Sequence, residues 1–311
     1  AEDGIRDKLV TGVQTCALPI FRAPEGLRTA QVFIAISAVL YGTQGVFAAI
    51  AYAHGSSVGT LLAVRAGLFL VFALFLLNPT RRATIAGHRG PVLYACATSV
   101  AGPALYFAAL QRMDPATVTL VAFIYPALTV LGAGLLRRVH LTWQSIGITL
   151  ITIAGVALAI GSPVGNVDVV GVVLTLLFAG VVASYFLVAE KGLEGVDPLA
   201  WLGITVLAAG AVLIPLGPVL GGHELPDATG WIALLAVGIV SSVIACLFQT
   251  TGLMRLGSAA TSLVASVEIA TVVVLTWVVL GERPSAVSLV GAVLIIVGAA
   301  DRKSTRLNSS H

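Results

Sequence analysis

The second half of this chain repeats its first half within an almost unbroken run of apolar residues over 31–300. The segment Ala109–Ala116 (Ala-Leu-Gln-Arg-Met-Asp-Pro-Ala) reappears 143 residues later as Gly252–Ala259 (Gly-Leu-Met-Arg-Leu-Gly-Ser-Ala). Each copy leads into another apolar run, the first with Tyr125-Pro126 and the second with Glu268-Ile269 at the same offset. Internal duplication in a polytopic membrane chain is typical of secondary transporters, whose binding site lies between the copies.

Composition places the chain in the membrane class. Apolar residues make up 58% of it, charged residues only 10%, and the mean hydropathy is +1.02. Such a chain cannot cover itself with a water-facing surface. Between Thr29 and Ala300 there are ten Lys and Arg against nine Asp and Glu, so nothing indicates a nucleic-acid partner. The expected partners are membrane lipid and a small-molecule substrate.

The two ends are not expected to belong to the fold. Residues 2–20 and 301–311 resemble translated sequencing-adapter read-through, and the only methionines are Met113 and Met254. The last apolar run, Val287–Ala300, has 14 residues. As a helix it would span ~21 Å, short of a ~30 Å hydrocarbon core, so a truncated final helix is expected. Segment 1–28 is therefore expected to be non-native or disordered, and segment 301–311 to be a non-native tail.

Hydropathy predicts an all-α integral membrane fold with ten transmembrane helices. Short polar loops separate apolar stretches at 30–50, 58–78, 91–110, 116–136, 142–161, 169–190, 198–220, 229–252, 258–280 and 286–300. The duplication divides them into two five-helix repeats, 29–161 and 162–300. Five is an odd number, so the two copies must cross the membrane in opposite directions. The prediction is an inverted repeat, which supplies the two related conformations that alternating access needs.

Basic residues predict the orientation. With the amino terminus in the cytoplasm, the inner loops carry seven Lys and Arg and the outer loops only Arg112 and Arg283. Positive residues favour the cytoplasmic side, so we expect a multi-pass protein of the inner (plasma) membrane with a cytoplasmic amino terminus.

Several short segments resemble the EamA type of the drug/metabolite transporter superfamily, over about residues 29–300. They are the two repeated segments above, Tyr41–Phe47 (Tyr-Gly-Thr-Gln-Gly-Val-Phe), Arg65, and Leu280-Gly-Glu282 followed by Gly291 and Gly298. The chain departs from the family pattern where Val139 stands at the place of Glu282 in the first copy, and where Ile269 replaces a proline. The resemblance implies a permease that exports amino acids or related metabolites, with proton coupling as an option.

Glu268 is the sharpest functional candidate. It lies near the middle of predicted span nine between Val267 and Ile269, where a charge costs a few kcal/mol. A carboxyl group there could carry a proton or act as counter-ion for a cationic substrate. The structural alternative is a protonated glutamate that hydrogen-bonds two helices together.

Large polar side chains on other spans are candidates for the wall of a binding cavity. Tyr41, Gln44, Tyr106 and Gln249 are too large for a tight helix crossing, so either a cavity or ordinary packing could explain them. Tyr125 stands at the position equivalent to Glu268. The adjacent Pro126 is a hinge candidate, although proline kinks also occur in membrane helices without a binding role.

Arg65, near the start of span two, has two interpretations. It could attract an anionic substrate group, or its guanidinium could extend to the membrane interface. The second interpretation is favoured, because long basic side chains near span ends commonly reach the interface. Trp143, Trp201 and Trp231 fall near span ends and are expected to be interfacial anchors.

Enzyme chemistry has little support in the sequence. The histidines never pair at metal-ligand spacing, and there is no GxSxG or Walker motif, so neither catalytic residues, a metal nor a cofactor is expected. The main prediction is a secondary transporter, an exporter of small metabolites such as amino acids. The alternatives are a membrane enzyme with Glu268 as general base and a non-transporting membrane scaffold.

Overall fold

The computed structural model describes residues 24–136, 147, 150–151, 153–156, 158, 168–192, 194–256, 261, 264–265, 267–287 and 289–294, without the side chains of 24–27, 82, 190 and 220. All regular structure in these ranges is helical. The helices are α1 (Pro24–Ala53), α2 (Val58–Leu76), α3 (Pro79–Ile85), α4 (Arg89–Leu110), α5 (Pro115–Ala122), α6 (Tyr125–Leu135), α7 (Val169–Gly192), α8 (Pro198–Gly221), α9 (Ala228–Gly238), α10 (Ala245–Leu256) and α11 (Val267–Leu280). A π-helical segment, Ile239–Ile244, joins α9 to α10.

Seven helical stretches of the described chain are long and apolar enough to cross a membrane, and they correspond to predicted spans one to four and six to eight. A shorter apolar helix, α11, covers the second part of span nine. Span five, 142–161, lies mostly outside the described residues, and of span ten only 286–287 and 289–294 are described, as helix. Large apolar side chains such as Phe75, Leu74 and Val278 point away from the bundle, as a lipid solvent allows.

Polar residues at the loop ends explain where the helices begin. Ser57, Asn78, Asp114, Asp197 and Asp227 each accept a hydrogen bond from a backbone N–H in the first turn of the following helix. These side chains satisfy donors that would otherwise lack partners, which fixes the start of each helix. In three of these helices the next residue is proline, which suits the first helical position.

Helices α2 and α8 occupy equivalent places in the two repeats and pack against each other in opposite directions. Near one end of the pair, the backbone of Gly59 in α2 approaches Gly217 and Gly222. Near the other end, Gly203 of α8 contacts Leu77, just after α2. Equivalent helices that run antiparallel are what an inverted repeat requires.

An acid–base pair closes each end of the α2–α8 pair. His54 Nδ1 lies 2.8 Å from Asp227 Oδ2 at one end, and Arg81 Nε lies 3.7 Å from Asp197 Oδ2 at the other. His54 and Asp197 are 143 residues apart and so occupy equivalent positions in the two repeats, whereas Arg81 lies three residues before Thr84, the equivalent of Asp227. The N–H of Gly230 and the His54 side chain hold the pKa of the Asp227 carboxyl below its usual value.

Predicted span four is not one helix but two. The chain leaves the helix after Ala122, and α6 begins at Tyr125. Pro126 has no N–H and its ring excludes the carbonyl four residues earlier, that of Ala122, so the helix breaks there. In the second copy, Ala265 is a turn residue whose carbonyl accepts a 2.9 Å hydrogen bond from the N–H of Glu268. Both repeats therefore interrupt a helix beside the equivalent residues Tyr125 and Glu268.

Candidate functional site

A cavity of about 190 Å³ lies where α1, α2, α4, α5, α6, α7, α10 and α11 meet. Its wall includes all seven residues that the sequence selected as substrate-binding or coupling candidates: Tyr41, Gln44, Arg65, Tyr106, Tyr125, Gln249 and Glu268. Both repeats contribute, so the cavity lies between them. A cavity of ~150 Å³ holds a benzene molecule, so this one has room for a small metabolite.

Glu268 brings a carboxyl group into this cavity from the first turn of α11. Its side chain makes no hydrogen bond or ion pair with any residue in the part of the chain that the structure describes. The structural alternative was a hydrogen bond from this carboxyl to a second helix. No such hydrogen bond is formed with those residues. The group faces the cavity and is available to a ligand or a proton.

Arg65 is buried and does not extend to the membrane interface, so the snorkelling interpretation is wrong. The residue is only 6% exposed, and its Nε donates a 2.8 Å hydrogen bond to Ser242 Oγ. Its guanidinium carbon lies 4.5 Å from the ring centroid of Phe69, close enough for a cation–π contact. Within the part of the chain that the structure describes, Nη1 is buried without a hydrogen-bond partner and no carboxylate pairs with the guanidinium. An anion that enters the cavity can neutralise a buried cation in this state.

The π-helical segment fixes the position of Arg65 through Ser242. The hydroxyl of Ser242 donates to the carbonyl oxygen of Val237, five residues earlier, at 2.7 Å. With its hydrogen used in this way, Oγ can only accept from Arg65. The neighbouring Ser241 Oγ lies 2.6 Å from Thr43 Oγ1 of α1. Two successive serines therefore connect this segment to two different helices of the first repeat.

Polar side chains of α1 and α10 form another part of the wall. Tyr41 Oη donates to Gln249 Oε1 at 3.2 Å and lies 2.9 Å from Cys246 Sγ. Gln44 Oε1 is buried without a hydrogen-bond partner among the described residues. A buried acceptor without a partner costs free energy, so a donor group of a bound ligand would stabilise it.

The sequence reasoning missed the aromatic wall that α7 supplies. Phe178, Tyr185 and Phe186 line the cavity, and the ring of Phe186 stacks on Tyr125 with centroids 5.8 Å apart. Tyr106 contacts Phe178 with centroids 5.1 Å apart. The signal was present in the sequence, because positions 178, 185 and 186 fall on one face of a helix.

Trp201 is a core residue and not an interfacial anchor. It is 1% exposed, and its indole N–H donates a 3.2 Å hydrogen bond to the hydroxyl of Tyr185. The prediction for Trp201 was wrong because proximity to a span end does not say which way the side chain points. Pro126 does not line the cavity; it lies at the break before α6, and its role as a hinge stays a prediction.

Comparison with known proteins matches both halves of the chain to one family. The model of the EamA-like transporter family matches residues 28–161 and again residues 169–300. The chain belongs to the EamA-like transporter family. It is thus a multi-pass membrane protein with two EamA repeats, in a family of transporters of the drug/metabolite superfamily. Membership supports transport over the membrane-enzyme and scaffold alternatives.

A solved structure confirms the fold of this EamA-like protein. It is a crystal structure described only as that of a protein, with a TM-score of 0.67 and 21% sequence identity. The match covers 88% of this chain and 96% of the other. The comparison with curated proteins gave no match.

Proposed function

We propose that this transporter exports small zwitterionic metabolites, amino acids foremost, by alternating access. The observation that carries the proposal is the presence of a basic and an acidic side chain, Arg65 and Glu268, in the wall of one cavity without an ion pair between them. An α-amino acid presents a carboxylate for Arg65 and an ammonium group for Glu268. Export, the plasma membrane and a cytoplasmic amino terminus belong to the same proposal, supported by the resemblance and by the distribution of basic residues.

The energetics of burial favour such a substrate. Each unpaired charge inside the membrane costs free energy, so a ligand that neutralises both gains more than one that neutralises either. A neutral or singly charged analogue of the same shape leaves one protein charge uncompensated. The preference of the transporter for amino acids over such analogues should therefore depend on both charged groups of the substrate.

Proton coupling enters the proposal through Glu268. A proton and a substrate ammonium group neutralise the same carboxylate, so they compete for it. A cycle in which Glu268 exchanges one for the other moves a proton inward as an amino acid moves outward. The two interrupted helices, at Tyr125 and before Glu268, offer backbone that can adjust between the two orientations of the cavity.

The test is transport by purified protein in liposomes. Efflux of labelled leucine is measured in competition with its decarboxylated analogue 3-methylbutylamine and its deaminated analogue 4-methylpentanoate. We expect unlabelled leucine to compete and each analogue to compete at least tenfold less well, because each leaves one charge unpaired. The amine lacks the carboxylate, so if it competes as well as leucine, Arg65 does not bind that group. The acid lacks the ammonium group, so if it competes as well as leucine, Glu268 does not bind that group.

Replacing Ser242 with alanine should weaken substrate binding through Arg65. The substitution removes the acceptor of the 2.8 Å bond from Nε, so the guanidinium is no longer held in its orientation. We expect the KM for leucine efflux to rise about tenfold with little change in kcat, since hydrogen bonds to charged groups contribute ~1.5–3 kcal/mol. The preference for leucine over leucinamide should fall in parallel.

Ser241→Ala is the matched control for that variant. Ser241 is equally buried and also hydrogen-bonded, but its partner is Thr43 and not Arg65. Its KM and its preference for the free carboxylate should stay near those of the unaltered protein. A similar rise in KM for both variants would show that the π-helical segment acts only through the fold.

A further inference from the structure

A second cavity of about 170 Å³ adjoins the first. Arg65, Tyr185 and Gln249 line both cavities, so only a few side chains separate them. The second cavity extends away from Glu268, among α2, α4, α7, α8 and α10. Besides Arg65 at its border, it contains no charged side chain among the residues that line it.

The walls of the second cavity are largely aliphatic and aromatic. Val181, Leu202 and Val206 contribute hydrocarbon, together with the ring of Phe69. Shape and apolar surface, rather than charge, would select what occupies such a space.

Three of the hydroxyl groups in these walls do not change that character. Thr98 donates to the carbonyl oxygen of Tyr94 at 3.1 Å, Ser99 to that of Thr205 at 2.9 Å, and Thr205 to that of Leu202 at 2.9 Å. A carbonyl can only accept, so each hydroxyl hydrogen is directed at backbone and away from a guest molecule. These three residues are therefore satisfied within the protein and require nothing from a ligand.

We infer that the second cavity is the side-chain subsite of the substrate, and that the substrates are α-amino acids with apolar side chains up to the size of a phenyl ring. This inference rests on the proposed function, in which Arg65 binds the substrate carboxylate. Arg65 stands at the border, so a carboxylate held there places the adjacent α-carbon at the entrance of the second cavity. The ammonium group then faces Glu268 in the first cavity, and the side chain enters the second. A 150 Å³ cavity accommodates benzene, so about 170 Å³ accommodates the side chain of leucine or phenylalanine.

Substitution of Gly102 reduces the volume of the second cavity. It lines only the second cavity, and a methyl group added there would lie 3.7 Å from Val181 Cγ1 and 3.9 Å from Phe178 Cε2, which is ordinary contact. Gly102→Ala therefore reduces the space without a backbone clash, and the larger side chain of Gly102→Val reduces it further. We expect the ratio of phenylalanine to alanine affinity to fall about tenfold for Gly102→Ala and further for Gly102→Val.

Two further variants separate a subsite from a general defect. Leu202→Ala enlarges the second cavity and should raise the same ratio. Ala122→Val intrudes on the first cavity only and should lower the affinity for phenylalanine and alanine in the same proportion. Transport of both labelled amino acids is measured in liposomes, with size-exclusion elution as the check on folding.

The outcomes distinguish this inference from the proposed function. An unchanged ratio in both Gly102 variants, or an equal loss for phenylalanine and alanine, would overturn the side-chain subsite while leaving amino-acid transport intact. A preference for aspartate over leucine in the unaltered protein would also overturn it. Transport of no amino acid by the unaltered protein would contradict the proposed function itself.

Discussion

Glu268→Gln is expected to abolish the stimulation of amino-acid flux by a pH gradient and to weaken substrate binding about 10- to 100-fold. Glutamine keeps the size and shape of the side chain but neither ionises nor carries a proton between the two faces of the membrane. It also replaces a charge-assisted hydrogen bond to the substrate ammonium group, which contributes ~1.5–3 kcal/mol, by a neutral one. The measurement is leucine efflux from liposomes with and without an imposed gradient.

The fold should survive this substitution. The Glu268 carboxyl makes no ion pair with the described part of the chain, so its neutralisation leaves no partner charge unpaired there. Glu194→Gln is the control, because this exposed carboxyl lies in the loop between α7 and α8, away from the cavity. If the flux of the Glu268 variant responds to the pH gradient as strongly as that of the control, proton coupling belongs to another group.

Gly59→Ala is expected to destabilise the protein by ~2–3 kcal/mol or more through the crossing of α2 and α8. A β-carbon at Gly59 would overlap the carbonyl oxygens of Gly217 and Gly222, and neither can move without shifting the backbone of α8. The two equivalent helices would have to separate at this contact. The fraction that remains monodisperse after heating, measured by size-exclusion chromatography, should fall at a temperature several degrees lower.

Gly67→Ala is the matched control on the same helix. Beyond its chain neighbours and the adjoining helix backbone, no described atom lies within 4 Å of the position that its β-carbon would take, so the methyl group has space. Alanine also favours the helix over glycine by ~1 kcal/mol, so this variant should be as stable as the unaltered protein or slightly more so. Equal loss of stability in both variants would show that the crossing at Gly59 is not what limits stability.

Much of the site was predictable from the sequence because the membrane restricts polar side chains severely. Glu268, Gln44 and Gln249 stand out in apolar spans, and burying them without a purpose is costly. The 143-residue offset added Tyr125 as the partner position of Glu268. A shared cavity for these residues depended on how the helices are arranged. The structure places all of them in the wall of one cavity.

What the sequence could not predict depends on the direction of side chains between helices. Arg65 and Trp201 both lie near span ends, where an interfacial position is the general rule, yet both point inward. Only the packing of α2 against the π-helical segment gives Arg65 its partner, Ser242, and no periodicity in the sequence indicates that segment. The second cavity likewise has no residue pattern of its own.

The sequence by itself determined the membrane class, the helical spans, the duplication and the polar residues that are costly to expose to lipid. Those properties follow from local hydropathy and from the repeat offset, which a chain carries whatever its tertiary arrangement. The tertiary structure decided which of those residues face the same space, where Pro126 interrupts span four, and that Arg65 and Glu268 share a cavity without an ion pair between them. These depend on how helices distant in sequence cross, and a crossing such as that of Gly59 with Gly217 is fixed by contacts that neither helix encodes alone.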